Sequence, residues 1–433
     1  MLTHWIWLSR RKGIGHVGRK KLLSVVPTAE EIYDMTPEQY KSLGMKEMRS
    51  NWIETLSDKD LGEAEKIASD CDRFGIRCIL YNDSDYPNRL KEIYDPPCVL
   101  YCKGTIPKVD EEATIGIVGT RQCSNFGLLN GKQLSSLIAL SGGIVVSGGA
   151  RGIDTIALNS ALASIMPVIC VLAGGLDEYY PAENRALFEA ITEHGCLLSE
   201  MPPGQRAMPR FFVGRNRLIS GLSLGVLIVE APKGSGALTT AELALSQNRD
   251  VFTVRRADTG SWCEGNRELI SAGCEAITDG WELMSRYAPM FPGRVIDGRS
   301  REAMQRLYQK RYGSFYAVYS PTVHLESPCE QVNPMPHKIP EAFKKEKKES
   351  CAHSSVRQNV KIDPVDSRPK EENLDDLPEA ERRILSVMGN SPMEIDVIIM
   401  RSGMEPTAVS TALTMLQIKK RIIKCFGNSY QRL

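Results

Sequence analysis

Short, β-rich apolar runs recur through the middle of the chain: IGIVG (115–119), IVVS (144–147), VICVL (168–172), CLLS (196–199), VLIVE (226–230) and VFTV (251–254). Between most of them lie stretches with helical periodicity, such as NGKQLSSLIAL and TAELALSQ. Strands that are apolar throughout, rather than alternating, are buried on both faces, and the intervening helices are what cover them. The pattern predicts an α/β domain with a doubly wound parallel sheet over 111–285.

The flanks follow other rhythms. Residues 1–110 read as short helices: Thr28-x-x-Glu31 and Thr36-x-x-Gln39 are capping boxes, and Gly75 stands where a left-handed helix cap is expected. RKGIGHVGRKKLL sets Gly13, Gly15 and Gly18 between two helical patterns, and it reads equally as a helix-hairpin-helix turn able to meet a phosphate or as a tight helix connection. Residues 286–376 are rich in Lys, Glu, Pro and Ser, bury too little apolar surface to offset chain entropy, and are expected to be a flexible linker. The aromatic-rich RLYQKRYGSFYAVY within it can order locally or dock. Order returns at 377–433, with a helix LPEAERRILSVMG, a second opened by Ser391-Pro392-x-Glu394 and ended by Gly403, a third over EPTAVSTALTMLQIKKR, and a hairpin turning near Gly427-Asn428. Three short helices and a hairpin make up a winged helix.

Composition narrows the class. With 54 Lys+Arg, 53 Asp+Glu and a net charge of +1 over 433 residues, the chain is neither a polycationic packager nor an acidic tail. Its apolar runs fall short of a membrane span, and the N-terminus MLTHWIWLSRRKG reverses the order of a secretory signal, so a cytoplasmic protein is expected. Twelve Cys without a C-x-x-C pair and six dispersed His predict structural thiols and no metal site.

The average conceals a local arrangement. Residues 115–285 hold 13 Lys+Arg against 16 Asp+Glu, yet Met201 to Val229 contains no acid while carrying Arg206, Arg210, Arg215 and Arg217 beside Phe211 and Phe212. Residues 1–29 hold six basic residues and no acid, and 406–433 hold five and no acid. In open α/β sheets ligands bind beyond the carboxyl ends of the strands. The loops expected there are glycine-rich: Gly119-Thr120-Arg121 with Ser124 and Gly127; Ser147-Gly148-Gly149-Ala150-Arg151-Gly152-Ile153-Asp154; Gly174-Gly175-Leu176-Asp177; and Lys233-Gly234-Ser235-Gly236. Glycines admit a ligand close to the backbone and helix N-termini offer free N–H groups, so the set describes a phosphate-binding rim. Arginine beside aromatic rings suits single-stranded nucleic acid, with guanidinium for phosphate and ring for a base.

Catalysis finds little support. His194 is the one histidine of the α/β region and sits where a helix cap is expected; Asp154 and Glu230 lie at strand ends, where acids often cap helices or hold arginines; there is no G-x-S-x-G elbow. No catalytic residue and no cofactor are expected.

The motifs IGIVGTR, VVSGGARGIDTIA, VLAGGLDEYYPAEN, LLSEMPPG, FFVGRNRLISGLS, VLIVEAPKGSGALTTAELAL and EGNRELI, in that order, resemble the DNA-processing protein A (DprA/Smf) family. Asp85-Tyr86-Pro87-x-x-Leu90 and Asp95-Pro96-Pro97 running on to Lys103-Gly104 match the segment leading into the same domain. The resemblance implies a Rossmann-like core, a helix-hairpin-helix or SAM-like head and a winged-helix tail. It implies sequence-independent binding and protection of single-stranded DNA during transformation, loading of the RecA recombinase, and a homodimer formed through the α/β domain. The family's phosphate pocket carries over onto Gly119, Thr120, Arg121, Ser147, Gly148, Arg151, Gly152, Arg215, Asn216, Arg217, Ser235 and Gly236. Apart from the resemblance, Phe211 or Phe212 reads equally as a ring that stacks a base or as a core residue. Three departures stand out: Leu158 where the family usually has His, Arg255-Arg256 for Pro-Gly, and Val213-Gly214 for Pro-x.

Two rival readings remain. Lys233 to Glu242 faintly resembles the Gly-Gly-x-Gly-Thr-x-x-Glu loop of nucleoside-monophosphate phosphoribohydrolases, with Ser235 for the second glycine and a longer spacing to Glu242. The winged helix alternatively makes the chain an adaptor for duplex DNA or a partner protein.

Overall fold

The structure, a computed structural model, describes residues 1–48, 50–164, 166–255, 260–312, 378–388, 393–405, 408–409, 412–413, 415–416, 421–424 and 429–432. Nine strands form the main sheet: β1 (Arg77–Leu80), β2 (Val99–Gly104), β3 (Thr114–Val118), β4 (Ile144–Ser147), β5 (Val168–Val171), β6 (Cys196–Ser199), β7 (Gly225–Ile228), β8 (Asp250–Val254) and β9 (Glu275–Ile277). Their order is β1-β2-β6-β5-β4-β3-β7-β8-β9. The seven strands from β3 to β9 run parallel, and all six expected strands are among them. The chain winds outward from β3 through β6 on one side, then crosses to β7 on the other, so the sheet's switch point lies between β3 and β7.

The head contributes α1 (Leu2–Arg10), α2 (His16–Val25), α3 (Ala29–Asp34), α4 (Pro37–Ser42), α5 (Ser50–Ser57), α6 (Gly62–Phe74) and α7 (Asn88–Lys91). Around the sheet lie α8 (Asn125–Leu140), α9 (Ile153–Ala163), α10 (Arg185–His194), α11 (Pro209–Gly221), α12 (Gly236–Ser246), α13 (Glu264–Ser271) and α14 (Gly280–Tyr287), followed by α15 (Arg301–Tyr312). The hydroxyls of Thr28 and Thr36 accept from the third residue of α3 and α4, but the full capping box forms at Thr36 alone of the two, where the Thr36 N–H donates to Gln39 Oε1 at 2.7 Å; Gly75 closes α6 at φ +63°.

Two expected boundaries move. Residues 77–104, assigned to the helical head, supply β1 and β2, and β2 pairs antiparallel with β6, so they extend the main sheet. Trp5, Ile6 and Leu8 of α1 join one hydrophobic cluster with Leu100 of β2 and the central strands. The linker expected from residue 286 begins later. Phe291 and Val295 are buried in the main core, Ile296 N–H donates to the Ser141 carbonyl at 3.1 Å, Arg294 pairs with Glu111 and Glu112 at 3.0 and 2.7 Å, and α15 buries Leu307. These anchors are scattered contacts of mixed kind, apolar, ionic and backbone, with no strand or helix period over 288–300, which is why periodicity does not announce them. The rest of the expected linker, 313–376, with the second half of the aromatic-rich stretch, lies outside the described residues, while the first half of that stretch belongs to α15.

The tail forms a separate core in which Ile384, Leu385, Ile398, Val409, Leu413, Leu416 and Ile422 are buried. It contains α16 (Glu379–Val387), α17 (Ile395–Ser402) and a sheet ordered β10 (Met393–Glu394), β12 (Ser429–Arg432), β11 (Ile422–Lys424). Met393 and Glu394, expected to open a helix, pair with Tyr430 and Ser429 and make a third strand. The third helix is described only in part; the hairpin turn at 427–428 and residues 391–392 lie outside the described residues.

An ionic cluster ties the head to α11. The Arg217 guanidinium is 5% exposed and reaches the carboxylates of Glu200 at 2.6 Å and Asp95 at 2.9 Å, while His16 Nε2 at the start of α2 lies 3.5 Å from Glu200. Burial pushes the His16 imidazole down to about 4 despite Glu200, with Arg217 and Arg19 adding to the fall. The folded value lies below the unfolded one, so the stability this histidine contributes is present above about pH 6.5 and lost as pH falls toward 4. With a discount for the one-third exposure of the side chain, the term is about 1 kcal/mol between pH 7 and 5. Urea unfolding at both pH values should show His16→Asn losing less stability on acidification than the parent chain; an equal loss would refute the assignment.

Candidate nucleic-acid interface

The loops after β3, β4, β5 and β7 meet at the carboxyl edge of the sheet, and side chains from the sequence motifs lock them together. Thr120 N–H donates to the Glu230 carbonyl at 2.8 Å, and the Glu230 carboxylate accepts from Ser124 N–H at 2.7 Å and Ser124 Oγ at 2.6 Å. Glu230 therefore joins the two loops flanking the switch point. Asn266, from EGNRELI, accepts from Ala231 N–H at 2.8 Å and donates to the carbonyls of Ile228 and Val229, fixing the end of β7. Asn184, from PAEN, donates to the Gly149 carbonyl at 3.0 Å and to Thr155 Oγ1 at 2.8 Å, fixing the loop after β4.

Glycines are required here at specific places. Gly152 precedes α9 at φ +75°, where a Cβ would run into the Thr120 carbonyl. Gly148 lies against the Arg215 guanidinium, which a Cβ would overlap. By contrast, Gly236 opens α12 beside the capping Ser235, and a Cβ there would meet open space. Asn216 donates to the Gly236 carbonyl at 3.5 Å and links α11 to α12.

Arg121 is exposed, with its guanidinium 5.0 Å from the centroid of the half-buried Phe212 ring. Arg215 lies 5.9 Å from the same ring, and Tyr180 meets it edge-on at 5.8 Å. Phe211 is also half-buried, with Arg210 4.9 Å from its centroid. Arg151 is exposed at the rim but paired with Glu183.

Other expected contacts are not surface groups. Ser147 is fully buried and donates to the Ile117 carbonyl at 2.6 Å, so its hydroxyl binds the sheet. Arg215 is 4% exposed, donates to the carbonyls of Gly148 and Val171, and keeps a buried Nε without a partner. It supports the floor of the rim. Burial pushes the Asp154 carboxyl up to about 6, against Arg215 and the backbone N–H groups of Ala150 and Gly148. Arg217 is turned to Glu200 and Asp95 and is not brought to the rim.

Tyr180, half-exposed beside Phe212, is a further candidate that stands within the VLAGGLDEYYPAEN motif; its signal in the sequence is the Tyr179-Tyr180 pair in a glycine-rich loop. His194 ends α10 as expected, Leu158 is fully buried, and Glu242 is exposed midway along α12. Arg255 hydrogen-bonds along β9 through Ala276 and Ile277, and Arg256 lies outside the described residues. Among the described residues no three His, Cys, Asp or Glu side chains gather as a metal site would need, and no helix is long and apolar enough to cross a membrane.

The family model described as DNA recombination-mediator protein A matches residues 77–288, and one described as the DprA winged helix domain matches 368–428. The chain is 36% identical over 250 residues to the DNA processing protein DprA of Bacillus subtilis, covering 58% of this chain and 82% of that one. It is 35% identical over 291 residues to Protein Smf of Synechocystis, covering 65% and 72%. A crystal structure of DNA processing protein A from Streptococcus pneumoniae superposes with a TM-score of 0.56 at 28% identity, over 66% of this chain and 98% of that one.

Proposed function

Because the chain belongs to the DNA recombination-mediator protein A family, we propose that it binds single-stranded DNA without sequence preference along the rim between β3 and β7, as a binding protein and not an enzyme. The observation that carries this reading is the cluster around Phe212. An exposed arginine, a buried arginine and a half-exposed tyrosine surround one aromatic ring at the sheet's switch point. Unpaired bases have accessible faces to stack on such rings, and the backbone supplies phosphates for Arg121 and for the start of α12, where Ser235 caps the Ala237 N–H and Gly236 leaves room for a close approach. Arg151 joins the track once a phosphate displaces Glu183. Thr120 and Gly119 set the loop that presents Arg121, and Gly148, Gly152, Ser147 and Arg215 hold the floor beneath it.

The matched family's description speaks of recombination mediation and the relatives' names of DNA processing; the proposal extends to a role in which the bound strand is protected and passed to the RecA recombinase during transformation. A homodimer through the α/β domain would align two rims.

Phe212→Ala tests the stacking element. Loss of one base–aromatic contact costs about 1–3 kcal/mol, so affinity for a fluorescein-labelled oligothymidine should fall about tenfold while affinity for a duplex of the same length changes little. An equal loss on both would show that the ring holds the loop and does not stack a base.

A further inference from the structure

A second basic concavity lies far along the chain from the rim residues, where the end of α1 faces the start of α2. It encloses about 680 Å³, and its lining includes Arg10, Arg11, Lys12 and Arg19 against one carboxylate, Glu63. Two of these cations are already engaged: Arg10 pairs with Glu63 at 2.8 Å, and Arg11 reaches Asp58 Oδ2 at 3.1 Å and its carbonyl at 3.0 Å. Both sit at the carboxyl end of α1, where cations balance the helix dipole, and need no ligand to explain them.

The other two are different. Lys12 is exposed and forms no ion pair among the described residues. Arg19 is only 9% exposed; one Nη2 donates to the Arg11 carbonyl at 3.1 Å, while its buried Nε has no acceptor. A buried guanidinium N–H left without an acceptor is costly, and such groups in folded proteins commonly mark a missing partner. Arg19 also lines the smaller cleft that continues toward His16, Cys98 and Glu200.

The backbone points the same way. Gly15 is the N-cap of the ten-residue α2 and provides no side-chain cap. Its φ of −72° and ψ of 175° are open to any residue, and a Cβ there would meet nothing within 4 Å. Neither strain nor packing requires glycine, and Ser, Thr, Asp or Asn would cap the helix better. A bare N-cap lining a cationic cleft leaves the first N–H groups of α2 for an anion that approaches the backbone closely.

We propose that this cleft is a second phosphodiester site, in which Lys12, Arg19 and the N-terminus of α2 grip the backbone of a DNA strand. No aromatic side chain lines it, so it offers nothing on which a base can stack, and it holds single strand and duplex alike. The proposal rests on the reading of the chain as a DNA-binding protein, but not on the rim.

The test uses the full chain and its Lys12→Glu, Gly15→Ala and Phe212→Ala variants, with a labelled single strand and a labelled duplex at several salt concentrations. Lys12 is exposed and Gly15 faces open space, so both head variants should fold as the parent does. Each is expected to weaken single strand and duplex by the same factor, about fivefold, and Lys12→Glu to lower the salt slope by about 1. Phe212→Ala should affect the single strand alone, so a failed rim and a failed head site give different patterns. Unchanged binding of both DNA forms by Lys12→Glu and Gly15→Ala would overturn the head site. So would abolition of the Lys12-dependent part by 5 mM inorganic phosphate at constant ionic strength, because the cleft would then be a site for the free anion.

Discussion

Arg121→Glu is expected to weaken single-strand binding by about tenfold or more at moderate salt, and to lower the slope of log affinity against log salt by one to two. Arg121 is a rim arginine whose charge is not already spent: it is exposed, lies 5.0 Å from the Phe212 centroid, and makes no ion pair among the described residues. Arg151 is held by Glu183, so its charge reaches a phosphate only after that pair opens. Reversal at 121 places a carboxylate where the strand is to run and also removes the cation from the ring. Its exposure predicts an unchanged unfolding midpoint, so titration at several salt concentrations reads binding alone. Equal affinity for variant and parent would remove Arg121 from the interface.

The opposite behaviour is expected of Arg217, which the acid-free sequence window groups with the rim. Arg217→Ala should destabilise the chain by about 3–5 kcal/mol, because it leaves buried carboxylates without their counter-charge. Glu200 is as deeply buried as the guanidinium it pairs with, and Asp95 is about one-third exposed. The interaction joins α11 to the end of β6, to the segment before β2 and, through His16, to α2. Urea unfolding should show a large fall in midpoint, while single-strand affinity per folded molecule stays near that of the parent. A stable variant with greatly reduced binding would place Arg217 on the DNA.

These two arginines show what a linear reading can and cannot supply. The six central strands were legible because each is apolar along its whole length, as a strand covered on both faces must be. The edge strands β1 and β9, and β2 beside β1, were not. RCIL and EAI are short and only partly buried, and β2 pairs with a strand about a hundred residues later, so no local period reveals it. The glycine-rich loops were legible for a stereochemical reason: Gly152 requires a positive φ, and Gly148 has no room for a Cβ.

Charge was less legible. A stretch without acids in sequence is not a region without acids in space. Arg206 lies near Glu178, Arg217 meets Glu200 and Asp95, Arg10 meets Glu63, Arg11 meets Asp58 and Lys21 meets Glu47. Every one of those carboxylates lies outside the basic window it serves. The cations left over, among them Arg121 and Arg210 beside the phenylalanine rings and Lys12 at the head, can be identified only after the chain has folded.

On the proposed function, a single strand lies across Phe212 at the sheet's switch point. Photocrosslinking a bromodeoxyuridine-substituted oligonucleotide to the full chain, followed by peptide mapping, tests it most directly. Attachment is expected within residues 209–217 and 176–185, reduced by Phe212→Ala. Crosslinks confined to the winged-helix tail or to the head, with those two segments unlabelled, would contradict it.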